Sequence, residues 1–242
     1  HRNIFGNGQS LSLRASAETE ILQELQFLSH RYEIVFVEPW TFAIKLPSEL
    51  TLYFEPGAKK LDIPWRVQKM GVSISFLRKL GVVSHWGGVS YERVDIYGVP
   101  ESEADLIREE QGIYVTRKLS YTYQRDVRDN ILMPKNGSLT RFSADFVGGP
   151  LGGDENYLKT DIYWSRYLPF PLYNSFTLAS RFRIAIMGNT KHGTDVSIDN
   201  KLTLGGANTI RGFRERTIGP KSENGTMLGG KVLGMVSFEL RY

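Results

Sequence analysis

The chain has 242 residues, 24 of them glycine, and a formal net charge of +4. Hydrophobic residues make up 41% and charged residues 23%, which excludes an ordinary disordered chain. With no cysteine there is no disulfide, thiolate metal site or cysteine nucleophile, and so mild a basic excess points to no nucleic-acid partner.

The longest apolar runs are short, as in Ile34-Val35-Phe36-Val37, far below the roughly 20 residues of a transmembrane helix. Membrane strands stay open, because each is short and half polar. His1 opens on no Met, no charged segment and no apolar segment of a secretory leader.

The dominant signal is period two. Near the start, Leu11, Leu13, Ala15 and Ala17 alternate with Ser10, Ser12, Arg14 and Ser16. In mid-chain, Leu119, Tyr121 and Tyr123 alternate with Lys118, Ser120 and Thr122. Phe142, Ala144 and Phe146 then alternate with Arg141, Ser143 and Asp145, and Leu158, Thr160 and Ile162 with Lys159 and Asp161. Further on, Phe182, Ile184 and Ile186 alternate with Arg181, Arg183 and Ala185. At the end, Val236, Phe238 and Leu240 alternate with Ser237, Glu239 and Arg241. Successive strand side chains point to opposite faces, so each segment has one apolar and one polar face.

The pattern predicts about ten strands, over 9–20, 24–38, 48–55, 66–78, 82–97, 112–126, 138–147, 156–168, 175–187 and 230–242. Turn residues separate them, including Asn7-Gly8, Pro39, Pro56-Gly57, Asn136-Gly137 and Gly188-Asn189. Glu101 to Glu110 reads as a short helix within a loop, with Ser102 as its N-cap. The fold class is all-β and antiparallel. Periodicity alone leaves open a soluble sandwich and a membrane barrel. Charges of both signs in mid-strand favour a lumen, and so do aromatics near predicted strand ends: Trp40, Trp86, Tyr163, Trp164 and Tyr167.

Catalytic patterns are weak. Gly225 to Lys231 fits most of a phosphate loop, but Val232 stands where Ser or Thr would bind magnesium, and a strand follows. The four histidines are scattered, without metal-ligand spacing. Asp126, Arg128 and Asp129 read as a salt-bridged turn cluster and not as an acid/base pair. Asn136-Gly-Ser and Asn224-Gly-Thr match the glycosylation sequon, a frequent chance match.

The run from Leu204 to Pro220 is more specific. It holds Gly205, Gly206, Arg211, Gly212, Phe213, Gly219 and Pro220, inside a connection of about forty residues between the last two strands. Loops longer than about 12–15 residues are usually functional or disordered. Ile210, Phe213 and Ile218 suggest packing against something, and the glycines suggest close backbone approach.

This run resembles the R-G-F/Y loop of the outer-membrane insertases and transporters that carry POTRA domains, and among them the BamA-like β-barrel assembly factors. Other segments fall in the same register: Asn3 to Ser12, Glu38-Pro39-Trp40, Asp126 to Asn130 with Pro134 and Gly137, Phe146 to Gly153, and Tyr167 to Pro169. The resemblance implies a barrel of about sixteen strands, of which this chain matches about the third to the twelfth. On that register residues 1–242 are a partial barrel domain, and the POTRA domains, leader and terminal seam strands lie outside the segment. A complete ten-stranded barrel is the alternative, but a long loop folded inward needs the larger lumen.

The resemblance also implies that the loop folds back into the lumen and that Arg211 meets acidic residues of the wall. One aligns with Glu239, which by alternation already sits on the polar face; a second would lie beyond Tyr242. The implied function is non-enzymatic and needs no cofactor: folding and inserting β-barrel proteins into a bacterial outer membrane. The implied partners are unfolded client barrels, outer-membrane lipids and accessory lipoproteins. A protein-translocating pore, of the two-partner secretion or TamA-like kind, is the alternative within the superfamily. A soluble β-sandwich binding module is the alternative outside it.

Overall fold

A computed structural model describes residues 3, 6–21, 25–58, 65–101, 111–170, 176–191, 196–206 and 209–242. Ten strands appear among them: β1 Ser10–Ile21, β2 Leu25–Glu38, β3 Ser48–Ala58, β4 Arg66–Leu80 and β5 Val83–Tyr97, then β6 Gly112–Asp126, β7 Gly137–Val147, β8 Tyr157–Pro169, β9 Thr177–Asn189 and β10 Val232–Arg241. Each coincides with a predicted strand, with ends shifted by at most three residues. Single 3-10 turns occur at Thr41–Ala43 and Gly149–Leu151. The helix expected over Glu101 to Glu110 falls, from Ser102 on, outside the described residues.

The strands form one sheet in chain order, every neighbour antiparallel. β1 and β10 are its edges and do not pair with each other, so these ten strands close no ring. One end carries the two-residue turn Gly81-Val82 and the ten-residue turn 127–136, and is called the short-turn end. The other carries 148–156 and the 42-residue connection 190–231, and is called the long-connection end.

Register sorts the two faces. Leu13, Ile34, Leu52, Val89, Leu119, Ile162, Phe182, Val236 and Phe238 share the outward face and are exposed. A soluble sheet would bury such a row; in a membrane barrel it meets lipid. The opposite face carries ion pairs: Arg14–Glu33 at 3.9 Å, Arg31–Glu33 at 2.7 Å, Arg31–Glu55 at 3.8 Å and Arg183–Asp161 at 2.6 Å.

Parity corrects part of the aromatic girdle. Trp164 does share the outward face with Ile162 and Phe182, and Trp40 lies exposed in a short turn. Trp86, Tyr163 and Tyr167 have the inward parity, and Tyr167 is buried there beneath Arg241. Nearness to a strand end says nothing about face; the alternation decides it.

The core lies on the inner face, at the long-connection end, in two clusters. One joins Val147, Tyr157, Ala185, Met187, Leu233 and Met235 of the wall to Val196 and Leu202 of the 190–231 connection. The other joins Trp65, Val67, Val94 and Ile96 to Ile198, with Leu228 packed beside it. Val196 and Ile198 are two residues apart, yet they join clusters whose walls are β7–β10 and β4–β5 respectively. Strands lie about 4.8 Å apart, so the sheet curls around this connection.

Candidate functional site

The candidate site is the 190–231 connection and the inner wall that holds it. Three backbone bridges give it shape: Leu202 with Gly230, Leu204 with Ile218, and Lys221 with Met227. The second closes a finger over 204–218. Near its base the Gly206 N–H donates to the Phe213 carbonyl at 2.9 Å, and Thr209 Oγ1 accepts from the Gly205 N–H at 2.9 Å. Gly205 has a φ of 122°, and a Cβ there would lie 2.0 Å from the Arg214 carbonyl oxygen. No side chain fits in that gap.

The other motif residues follow. Gly212 stands at the fingertip beside Arg211 and Phe213. Gly219 precedes Pro220, whose carbonyl accepts from Leu228 N at 2.9 Å as the second hairpin begins. The Gly225 to Lys231 segment runs through this hairpin into β10 and opens no helix.

The finger brings Arg211 to Glu239 on β10, at 3.8 Å. Glu239 is shared. Arg241, two residues along the same strand, reaches it at 2.8 Å, and Arg181 of β9 at 3.3 Å. Three guanidiniums therefore converge on one carboxylate. Arg241 is the tightest, donating from both Nε and Nη2 to one carboxylate oxygen. Arg211 is the outermost, its side chain 68% exposed. The Nε of Arg181 is buried without a hydrogen-bond partner, so one donor of the cluster is left unmet. A cavity of about 490 Å³ lies between the finger and β10, lined by Arg181, Thr209, Arg211, Met235 and Glu239 among others.

The packing expectation for the finger needs correcting. Phe213 is 56% exposed, and Ile210 and Ile218 are only partly covered. The anchoring side chains are Val196, Ile198, Leu202 and Met227, all buried. They flank the finger, so the tip stays open while its base is gripped.

A polar anchor reinforces them. The turn Ser197-Ile198-Asp199-Asn200 meets Glu155, from the connection between β7 and β8. The Glu155 carboxylate, 4% exposed, accepts from Ser197 N–H at 3.0 Å, from Asn200 Nδ2 at 2.8 Å and from Thr116 Oγ1 of β6 at 3.0 Å. From the other side Lys69 of β4 forms an ion pair with Asp199. Arg216 of the finger donates to the Asp199 carbonyl at 3.3 Å. Sequence reasoning missed this anchor. Its available signal was apolar residues of inward parity at one end of neighbouring strands, namely Ala185, Met187, Leu233 and Met235. A solvated lumen face would not place them there.

The turn cluster also divides. Arg128 binds Asp126 with two bonds, Nε to Oδ1 at 2.8 Å and Nη2 to Oδ2 at 2.7 Å. Asp129 makes no ion pair among the described residues. Its Oδ1 accepts backbone N–H groups of Asn130, Lys135 and Asn136, at 2.9, 3.0 and 3.1 Å. An aspartate can close a turn on its own backbone, and here that use displaces the salt bridge. These donors, that of Asn136 foremost, hold its carboxyl below the usual aspartate range.

The comparisons with known proteins agree with this geometry. A family model described as the Omp85 superfamily domain matches residues 3–242. The chain is 28% identical over 172 residues to the outer membrane protein assembly factor BamA of Nitratidesulfovibrio vulgaris, covering 70% of this chain and 21% of that protein. It is 27% identical over 237 residues to the sorting and assembly machinery component 50 homolog of Xenopus tropicalis, covering 95% of this chain and 46% of that protein. The crystal structure of BamA from Haemophilus ducreyi lacking POTRA domains 1–3 superposes with a TM-score of 0.81 at 18% identity, over 99% of this chain and 48% of that one. The chain thus spans about half, or less, of the length of these relatives.

Proposed function

The chain belongs to the Omp85 superfamily, as a BamA-like segment of an outer-membrane β-barrel, and on that premise we propose that it is part of an insertase that folds client β-barrel proteins and inserts them into the outer membrane. Residues 1–242 form part of the barrel domain in this reading. The observation that carries it is the 190–231 connection, gripped on the inner wall with Arg211 presented to Glu239.

An unpaired strand edge is not tolerated in lipid. The edges of β1 and β10 therefore pair with further strands, and about sixteen in all give a lumen that accommodates the connection. Client strands join such a barrel by edge pairing, which needs no covalent chemistry and no cofactor. The unmet Nε of Arg181 and the excess of guanidiniums over carboxylate fit a second acidic group from a neighbouring strand. Clients, membrane lipid and accessory lipoproteins are the partners in this reading. We place the protein in a bacterial outer membrane, supported by the Nitratidesulfovibrio relative. The Xenopus relative matches more of the chain, so a eukaryotic outer membrane is the second reading, and cell fractionation separates the two.

The test is Arg211→Ala in the intact protein, supplied as the only copy. Folded outer-membrane barrels should fall in level, and the variant barrel should unfold at lower temperature in detergent. Normal client levels with unchanged thermal unfolding would overturn the reading. A defect confined to one secreted passenger would favour a translocating pore.

A further inference from the structure

The outward face changes character at the short-turn end of β4–β6. Register places Phe76, Gly87 and Tyr121 in one cross-strand row, and Arg78, His85 and Tyr123 in the next. Arg125 follows one row further out, opposite Val83. All share the face that carries Ile74, Val89 and Leu119, which meets lipid. Gly87 leaves a notch between Phe76 and Tyr121; a Cβ there would meet nothing within 4 Å. His85 Nδ1 and the Tyr121 hydroxyl are hydrogen-bonded at 2.8 Å, and Tyr123 packs edge-on to the His85 ring. Phe42, from the turn between β2 and β3, stacks on Phe76 at 6.4 Å and carries the apolar face past the strand end.

Arg78 and Arg125 crown this notch. Both are exposed, and neither has a carboxylate within ion-pair distance among the described residues. The neighbouring Asp126 has the opposite parity and is held by Arg128. Two uncompensated guanidiniums just past an aromatic belt stand at headgroup depth, where a phosphate supplies the missing acceptor.

We propose that Arg78, His85 and Arg125, around the notch at Gly87, bind the phosphate headgroup of an anionic phospholipid in the leaflet at the short-turn end of the barrel. The lipid's glycerol and upper acyl chain fill the notch against Phe76 and Tyr121. This site rests on the membrane-barrel reading, not on the insertase activity.

The test reconstitutes the intact protein in bilayer discs of equal parts phosphatidylcholine and phosphatidylglycerol. Lipids retained on detergent extraction are then counted by native mass spectrometry. Wild type should retain phosphatidylglycerol preferentially. In R78Q/R125Q the preference should fall about fivefold for each arginine removed. Heat-modifiable migration first scores whether each protein has folded, and if the double variant fails there, R125Q alone is read in the same way. An enrichment in folded R78Q/R125Q or R125Q equal to wild type would overturn the site. Failure of wild type to enter the discs would instead overturn the barrel reading.

Discussion

The Tyr53 hydroxyl donates a hydrogen bond to the Glu92 carboxylate, although the two residues lie two strands apart. Register explains it: Tyr53 pairs with Gly71, and Gly71 pairs with Glu92, so the three share one inward row of β3, β4 and β5. With no side chain on the middle residue, the phenol lies across it. A Cβ on Gly71 would come within 2.7 Å of the Tyr53 ring and hydroxyl. Arg31 stacks on the same ring at 4.3 Å and joins it to the Glu33 and Glu55 ion pairs. An aromatic covering a strand glycine pins register, and here it also links the lumen network.

Gly71→Val should therefore displace Tyr53 and destabilise the folded barrel by about 1–3 kcal/mol, the usual cost of overpacking. Urea titration of the barrel in detergent, followed by tryptophan fluorescence, measures this. Combining it with Tyr53→Phe should give less than the sum of the single losses, since both act on one contact. Full additivity would refute the shared contact.

Glu239 and Arg211 should differ in what they contribute. Arg211 is the exposed member of the cluster, and its removal should cost less than about 1 kcal/mol of barrel stability. Glu239→Gln leaves three guanidiniums without their carboxylate and should cost more, about 1–3 kcal/mol. Arg211→Lys should keep the charge and lose the planar donor fork. Thermal unfolding of the three variants gives the ranking, and a larger loss for Arg211→Ala than for Glu239→Gln would contradict it.

The polar anchor governs the base of the finger. Glu155→Gln puts an amide donor where every neighbour is already a donor, at a cost of about 1–3 kcal/mol. Limited proteolysis should then cut within 190–231 faster than in wild type, while cleavage in the short turns stays unchanged. Lys69→Met should give the same protease pattern by removing the ion pair that ties β4 to Asp199. Wild-type cleavage rates in both would show that the apolar clusters hold the connection unaided.

Asp129 sets a pH limit on its turn. Its folded-state pKa lies below the ordinary aspartate value, so its contribution is present above about 3.9 and is lost as pH falls through the depressed folded value. Hydrogen exchange of the Lys135 and Asn136 amides, corrected for intrinsic rates, should accelerate across that acid window and not between pH 5 and 7. Asp129→Asn should remove the acid step, because its amide oxygen still accepts but does not titrate. Persistence of the step in that variant would assign it to another group.

The strands were legible because a sheet wetted by two different environments writes period two into every segment. Even the parity of Glu239, out of phase with Phe238 and Leu240, could be read directly. The anchor was less legible, because Leu233 and Met235 interrupt that alternation and look like noise until a second layer covers them. The finger misled in the opposite direction: Phe213 reads as a packing residue, yet packing belongs to Val196 and Ile198, which stand outside the motif. Asp129 read as half of a salt bridge because sequence shows nearby charge and not the N–H groups that a turn leaves open. Tyr167 read as a girdle residue because its distance from the strand end was weighed and its parity was not.

The close spacing of Val196 and Ile198 has a mechanical consequence. One short stretch of backbone is clamped to β4–β5 on one side and to β7–β10 on the other, so it works as a tie across the wall. Strands so braced cannot change their curvature without tearing an apolar cluster. Among the described residues, neither cluster takes a residue from β1, β2 or β3. Within this ten-strand wall compliance is thereby concentrated in those three strands, which take up bending and twist more readily than the braced ones.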